Sequence, residues 1–127
     1  GKTRAGAEWI HRLALSAPGR RIALVGATID EARQVMVEGA SGLLRVARRF
    51  HEKVEWQPSA GRLTWANGSL ATVYSGDSPD GLRGPEHHFA WCDELAKWRR
   101  AQESWDNLQM GLRGGLRSRA LITTTPR

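Results

Sequence analysis

Three residues at the start of the chain have the types and order of a phosphate-binding loop. Gly1, Lys2 and Thr3 precede a stretch with helical periodicity, and this order ends the P-loop pattern, in which backbone amides at a helix N-terminus cradle phosphates. The lysine would reach the terminal phosphates, and the hydroxyl would hold Mg²⁺. An ordinary charged helix start is the alternative, because so short a pattern also recurs by chance.

Two adjacent carboxylates, Asp93 and Glu94, end the apolar run that begins at Phe89. Ligands of open parallel sheets bind at the C-terminal ends of the strands, and an acid pair at such an end is the Walker B arrangement. The first acid would orient Mg²⁺ through its water shell, and the second would activate the attacking water as a general base. A helix N-terminus, with Asp93 as N-cap and Glu94 in the first turn, explains the pair as well, and both interpretations can hold together.

Three consecutive hydroxyl residues, Thr123, Thr124 and Thr125, follow the last apolar run. We expect them at the same edge of the sheet, where a hydroxyl can contact a γ-phosphate or its water. Ordinary strand composition is the alternative, because threonine favours strands and Pro126 ends them. The four histidines have no spacing that suggests a closed metal site.

Hydrophobic periodicity predicts the elements that must hold these residues in position. The predicted helices cover 3–17, 28–38, 42–50 and 95–113, and the predicted strands cover 21–26, 61–65, 70–75, 88–92 and 120–124. Asn67-Gly68 indicates an antiparallel hairpin inserted among parallel, buried strands, so the order predicts an α/β fold. The strands at 21–25, 88–92 and 120–124 should be neighbours in one parallel sheet, with Lys2, Asp93 and Thr124 converging at its C-terminal edge.

Size and charge limit the possible classes of function. A chain of 127 residues suits one domain. Its net charge of +6 and pI near 10.7 favour a polyanionic partner such as nucleic acid, although short basic clusters are also typical of solvated faces. The apolar runs are far shorter than the ~20 residues that cross a bilayer, and the first residues do not resemble a signal peptide, so we expect a cytoplasmic protein without a membrane span. The single cysteine, Cys92, is predicted to be a buried apolar residue.

Four blocks of sequence together carry a family resemblance. They are GKTRAGAEW at 1–9, DGLRGP at 80–85, WCDELAKW at 91–98 and TTTPR at 123–127. In this order they resemble the ATPases of phage large terminase subunits and their relatives in prophages and gene transfer agents, over essentially the whole chain. The resemblance implies a P-loop NTPase fold of the ASCE type and an ATP-hydrolysing DNA translocase that drives viral DNA into a capsid.

The resemblance also implies roles for individual residues. Lys2 and Thr3, with Gly1 before them, would bind ATP phosphates and Mg²⁺, Asp93 would orient the metal, and Glu94 would be the catalytic base. The hydroxyl run at 123–125 would be the motif that couples hydrolysis to movement.

Arg83 matches the position from which an arginine finger acts on a neighbouring subunit. Its segment is rich in turn residues, so a surface position is expected. A local salt bridge with Asp77, Asp80 or Glu86 is the alternative.

The family resemblance implies partners and a longer protein. Double-stranded DNA, the phage portal, the small terminase subunit and a ring of identical subunits are the expected partners, in the cytoplasm of a bacterial host. The upstream P-loop half, the adenine-binding segment and the RNase H-like nuclease domain lie outside the sequence, so we expect 1–127 to be a partial ATPase domain, truncated at both ends. Two alternatives are a non-catalytic basic remnant that binds DNA or a partner, and a helicase-like P-loop ATPase.

Overall fold

The computed structural model describes residues 1–112 and 119–124. Its elements, in chain order, are α1 (Lys2–Ser16), β1 (Arg21–Gly26), α2 (Ile29–Glu31, continued by the π-helical Ala32–Glu38), α3 (Leu43–Arg49), β2 (Val54–Gln57), β3 (Arg62–Trp65), β4 (Leu70–Ser75), β5 (Phe89–Asp93), α4 (Ala101–Gly111) and β6 (Arg119–Thr123). Short 3₁₀ turns cover Pro79–Leu82 and Leu95–Lys97. Within the described ranges, no helix is both long and apolar enough to cross a bilayer.

The strands form one sheet in the order β2-β3-β4-β1-β5-β6. β1 is parallel to β4 on one side and to β5 on the other, and β6 is parallel to β5. β2, β3 and β4 are antiparallel neighbours. The predicted α/β fold, with a mostly parallel sheet flanked by helices and an antiparallel hairpin, is therefore confirmed, as is the adjacency of β1, β5 and β6.

Helices cover both faces of β1, which is why its sequence is continuously apolar. Every residue of β1 after Arg21 is buried. Ile22 and Leu24 pack in a core formed with α1, α2 and α3. Ala23 and Val25 pack in a second core, formed with the segment before β5 and with α4. The sheet is thus the middle layer between two helical layers.

Two local contacts stabilise the predicted helix that starts near Thr28 and the predicted hairpin. Thr28 caps α2, and its Oγ1 accepts a hydrogen bond from the Glu31 amide at 3.1 Å. Gly68 has a φ of +86° in the turn between β3 and β4, a conformation that glycine adopts without steric cost. Asn67 Nδ2 donates to the Ala14 carbonyl at 2.8 Å, which ties this hairpin to the end of α1.

The predicted helix at 95–113 is wrong in its first third. Leu95–Lys97 form a 3₁₀ turn, Trp98 is extended with φ −67° and ψ 136°, and α4 begins only at Ala101. The reason is a tertiary contact, because the Trp98 indole lies against Gly76, where a Cβ would overlap the ring. Helical periodicity carries no information on such a contact. The predicted end of this helix lies outside the described residues.

The sequence does not predict β2, which forms one edge of the sheet. Its four residues alternate between half-buried and exposed, and Val54 and Trp56 face Trp65 and Leu63 across the antiparallel pair. A strand this short, with two polar residues of four, has too little periodicity to stand out from a loop.

α1 lies directly on β5 because Gly6 has no side chain. A Cβ at Gly6 would lie 2.5 Å from the indole ring of Trp91, far inside van der Waals contact. Both residues are buried. The absent methyl group therefore sets the distance between the helix that begins at Lys2 and the strand that ends at Asp93.

Replacing Gly6 with alanine tests this contact by the sign of the stability change. In an exposed helix interior, Gly→Ala stabilises a protein by about 1 kcal/mol. Here we expect a loss of about 1–3 kcal/mol in the free energy of unfolding, because the methyl group overpacks the core. Gly81→Ala, at a glycine surrounded by open space, should change stability by less than about 0.5 kcal/mol. Urea denaturation measures both, and a stabilised Gly6→Ala variant would show that α1 does not rest on Trp91.

A buried histidine makes the stability of the fold depend on pH. His87 contacts the edge of the Tyr74 ring, with the ring centroids 5.3 Å apart. Burial lowers the pKa of His87 from 6.5 to about 4, and the nearby charges of Arg21 and His88 act in the same direction. Among the described residues its Nε2 atom has no hydrogen-bond partner, so the neutral ring is the form that the fold accommodates.

Because the folded pKa of His87 lies below the unfolded value, its contribution to stability is present above pH 6.5 and is lost as the pH falls towards 4. At about 1.4 kcal/mol per pKa unit, the loss is about 3 kcal/mol. The His87→Gln variant does not titrate there, so its stability relative to wild type should rise by about this amount between pH 7 and pH 4. Denaturant unfolding at both pH values provides the measurement. Parallel pH profiles for the two proteins would contradict the burial of a neutral His87.

Candidate active site

A pocket of about 410 Å³ opens at the C-terminal edge of the parallel strands. The N-terminus of α1 meets the ends of β1, β5 and β6 there. The lining residues are Lys2, Thr3, Gly26, Ala27, Glu31, Val35, Asp93, Glu94, Lys97, Thr123 and Thr124. The predicted convergence of Lys2, Asp93 and Thr124 at one edge of the sheet is therefore observed, at the edge where open α/β sheets bind ligands.

The N-terminus of α1 gives one wall of the pocket a positive potential. Gly1 is the N-cap of this fifteen-residue helix, and no acidic residue lies in its first turn. The first amides of a helix lack intrahelical partners, and the helix dipole favours anions at this end. Lys2 and Thr3 line the pocket beside these amides, whereas Gly1 is not one of the lining residues.

Asp93, the last residue of β5, is held by a chain of two hydrogen bonds. The Trp91 indole Nε1 donates to Thr123 Oγ1 at 2.8 Å, and Thr123 Oγ1 donates to Asp93 Oδ1 at 2.8 Å. Burial raises the pKa of Asp93, and the charges of Glu94 and Glu31 act in the same direction, whereas the Thr123 hydrogen bond and Lys97 oppose it. Asp93 is therefore a half-buried carboxylate with two further acids, Glu94 and Glu31, nearby, and a bound cation would offset the cost of its burial.

Among the described residues, only Glu94 and His51 combine a side chain with a positive φ. Glu94 has a φ of 55° and a ψ of 46°, a region that is uncommon for residues with a side chain. The Glu94 side chain is only 18% exposed, and its Oε2 lies 3.7 Å from Lys97 Nζ. The strand therefore ends sharply at Asp93, and the next carboxylate turns into the pocket from a different direction.

The predicted hydroxyl run divides into residues with different surroundings. Thr123 is buried, and its hydroxyl accepts a hydrogen bond from Trp91 and donates one to Asp93. Thr124 is exposed and lines the pocket. Thr125 lies outside the described residues.

Arg83 does not line this pocket. Its side chain is 69% exposed, and NH2 lies 3.6 Å from Asp80 Oδ1. Arg83 instead lines a separate cavity of about 310 Å³ together with Asn107 and Met110 of α4. An ion pair between two such exposed groups contributes little to stability, so the pair with Asp80 leaves the guanidinium available to solvent.

Five lining residues were not singled out from the sequence: Gly26, Ala27, Glu31, Val35 and Lys97. Lys97 follows Glu94 by three residues, a spacing that brings side chains together in a tight turn, so the sequence contains a signal for this pair. Glu31 and Val35 belong to α2, and only the tertiary structure brings that helix to the pocket.

The whole chain, residues 1–127, matches the family model described as "Terminase large subunit, T4likevirus-type, N-terminal". Among solved structures, the large terminase ATPase domain of Thermus phage P74-26 is 25% identical, with a TM-score of 0.68, over all of this chain and 56% of that chain. The large terminase of a thermophilic bacteriophage in complex with ADP is 15% identical, with a TM-score of 0.73, over 94% of this chain and 29% of that chain. The complex of the same phage protein with ATP-gamma-S is 11% identical, with a TM-score of 0.72, over 92% and 28%.

The two kinds of comparison carry different weight. At 15% and 11% identity, the two nucleotide complexes show the fold alone. They also show that the chain spans less than a third of the length of those proteins. The family model covers every residue of the chain, and so includes all the residues that line the pocket. The chain therefore belongs to the family of N-terminal regions of T4-like large terminase subunits.

Proposed function

We propose that the chain is part of an ATP-hydrolysing subunit of a phage DNA-packaging motor, and that the pocket is its nucleotide site. The observation that carries the proposal is the convergence of Lys2 and Thr3 with Asp93 and Glu94 around one pocket. Membership of the terminase family supports it. The large terminase of the thermophilic bacteriophage, which shares the fold, has been solved with ADP and with ATP-gamma-S.

The donor set of the pocket fits a nucleotide with Mg²⁺. Thr3 and Asp93 offer hydroxyl and carboxylate oxygens, which Mg²⁺ prefers together with water and phosphate oxygens. When bound, Mg²⁺ neutralises phosphate charge and orients the terminal phosphate. Lys2 and the first amides of α1 bind the phosphates from the opposite wall. Thr123 donates to Asp93 Oδ1 and so restrains the orientation of the carboxylate that would hold the cation.

Glu94 acts as the general base on the attacking water. Glu94 lines the pocket next to Asp93, but its backbone is left-handed, so the chain leaves the strand at this residue. The Asp93 carboxylate, in contrast, accepts a hydrogen bond from Thr123. Lys97 holds the Glu94 carboxylate from one side at 3.7 Å. A second carboxylate next to the one that orients the metal can accept the proton of the attacking water while the phosphates stay bound.

Within residues 1–112 and 119–124, no strand pairs with the outer side of β6, which supports the proposal that residues 1–127 form part of a larger ATPase domain. β6 is the last strand of the sheet order, and Ile122 is a large apolar residue that stays exposed there. α1 contacts β5 and β6, so a strand preceding Gly1 that pairs in parallel with β6 would lead directly into α1, which would then connect it to β1. Such a strand would supply the upstream half of the phosphate-binding loop.

Double-stranded DNA is the proposed polyanionic substrate of translocation. The helix α3 exposes Arg45, Arg48 and Arg49. None of these three arginines lies within 4 Å of an acidic group in the described part of the chain. Exposed arginines on one helix, without acidic partners, favour contacts with phosphates. Thr123 and Thr124 are proposed to couple ATP hydrolysis to the movement of the bound DNA.

Replacing Glu94 with glutamine tests the proposed hydrolysis. In a full-length subunit that carries this domain, Glu94→Gln should keep the ATP dissociation constant within about threefold and lower kcat by several orders of magnitude, because water activation is removed while the metal site stays. Glu103→Gln, at an exposed glutamate of α4, is the matched control and should turn over as wild type. Binding of a fluorescent ATP analogue and phosphate release are the measurements.

The outcome also separates the alternatives. A comparable loss of nucleotide affinity in Glu94→Gln would make this glutamate a structural residue. If wild type itself binds no ATP, the non-catalytic, DNA- or partner-binding alternative applies.

Arg83 is proposed to act on the nucleotide of a neighbouring subunit. Its exposure, and its absence from the lining of the pocket in its own chain, favour action in trans. Arginine fingers contribute about 10³–10⁵ in turnover, because they neutralise charge that develops in the transition state.

Mixed rings test this role. Rings of Arg83→Ala subunits alone and rings of Glu94→Gln subunits alone should both be inactive. In mixed rings, Arg83→Ala subunits keep Glu94 and should regain turnover wherever a Glu94→Gln neighbour supplies a normal arginine. If mixed rings hydrolyse no more ATP than either variant alone, while wild-type rings turn over under the same conditions, Arg83 acts within its own subunit or only structurally.

A further inference from the structure

The backbone at Glu94 needs support from its surroundings. Left-handed φ and ψ values at a residue with a side chain are sparsely populated, and they persist when neighbouring contacts fix them. The direction of the Glu94 side chain depends on the peptide group that joins Asp93 to Glu94. Contacts with this peptide group therefore contribute, together with those of the side chain itself, to how steadily the carboxylate is held.

This peptide group is held at both of its polar atoms. Its N–H, the Glu94 amide, donates to the Thr123 carbonyl at 2.8 Å. Its C=O, the Asp93 carbonyl, accepts from the indole Nε1 of Trp98 at 3.1 Å. One contact comes from the neighbouring strand β6 and the other from a side chain after the turn, so rotation of the peptide plane would break a hydrogen bond on each side.

Trp98 is itself fixed against the loop that follows β4. The residue is only 4% exposed, and its ring occupies the space that a side chain at Gly76 would need. The next amide, that of Arg99, donates to Asp77 Oδ1 at 2.8 Å. The indole therefore has little freedom to follow a movement of the Asp93–Glu94 peptide.

We propose that Trp98 is a positioning residue for Glu94: its indole N–H holds the Asp93 carbonyl, and thereby fixes the peptide from which the Glu94 carboxylate enters the pocket. The inference rests on the proposed function, because it assigns Glu94 the role of general base. A base that is misplaced by about 1 Å can lose about a hundredfold in rate. Nucleotide binding should change little, because Lys2 and Thr3 lie on α1 and the Asp93 carboxylate is held separately by Thr123.

The test is Trp98→Phe in a full-length subunit, which keeps an aromatic ring on Gly76 and removes the N–H donor. We expect kcat to fall about ten- to a hundredfold, with KM for ATP within about twofold. Trp56→Phe is the matched control, because the Trp56 indole donates at 3.0 Å to the exposed Glu38, away from the pocket. It should leave both kinetic constants unchanged.

Two further readouts distinguish positioning from general damage. Amide hydrogen exchange at Glu94 should accelerate in Trp98→Phe at an unchanged thermal unfolding midpoint, whether or not nucleotide is present. In the Glu94→Gln background, Trp98→Phe should lower the residual kcat no further, because a residue that acts through Glu94 has nothing left to position. If Trp98→Phe does not fold, Asp77→Ala loosens the same loop and should give the same kinetic signature.

Each result bears on one statement. Faster exchange with an unchanged kcat would overturn the positioning role, as would parallel losses in kcat and nucleotide affinity or an additive effect with Glu94→Gln. If Glu94→Gln turns over as wild type, the proposed base is wrong and the positioning role falls with it. The exchange result then still reports whether Trp98 holds the peptide.

Discussion

The contact between α1 and Trp91 sets the geometry on which the site depends. Gly6 lets the helix approach the indole ring until no space remains for a methyl group. The same indole donates to Thr123, whose hydroxyl donates to Asp93. One aromatic side chain thus fixes the distance from the helix that carries Lys2 to the strand that carries Asp93, and also fixes the orientation of the carboxylate. A site that joins a helix N-terminus to a strand end needs such a spacer, because the two walls come from different layers of the fold.

The two adjacent acids of the pocket differ in environment although they are neighbours in sequence. Asp93 is the last strand residue, and its carboxylate is engaged by a hydroxyl inside the sheet. Glu94 leaves the strand through a left-handed turn and lies beside the long side chain of Lys97, which is 64% exposed. The two carboxylates therefore approach the pocket from different backbone conformations and have different neighbours, although they are adjacent in the chain.

The sequence predicts the parts of the molecule that depend on local pattern. The run Arg21–Gly26 predicts a strand buried on both faces, and Asn67-Gly68 predicts the hairpin, because each is set by neighbours in the chain. Parallel strands end at the same edge of a sheet, which places Asp93 there. α1 precedes β1 and packs along the sheet, so its first residues, with Lys2, are expected at the same edge. The break at Trp98 is not predicted, because it depends on a glycine 22 residues earlier that only the fold brings close. For the same reason, Glu31 and Val35 of α2 join the pocket without a signal in the sequence.

Arg83 and Glu94 face different surroundings, yet the segments that carry them are packed on the same helix. Asn107 of α4 donates to the Pro79 carbonyl at 2.9 Å, in the turn that precedes Arg83. Ser104 of α4 donates to the Gly76 carbonyl, and Gly76 is the residue against which the Trp98 ring lies. Packed interiors transmit displacements because they have little free volume. The turn before Arg83 and the loop on which the Trp98 ring lies are therefore not independent parts, because both are hydrogen-bonded to α4.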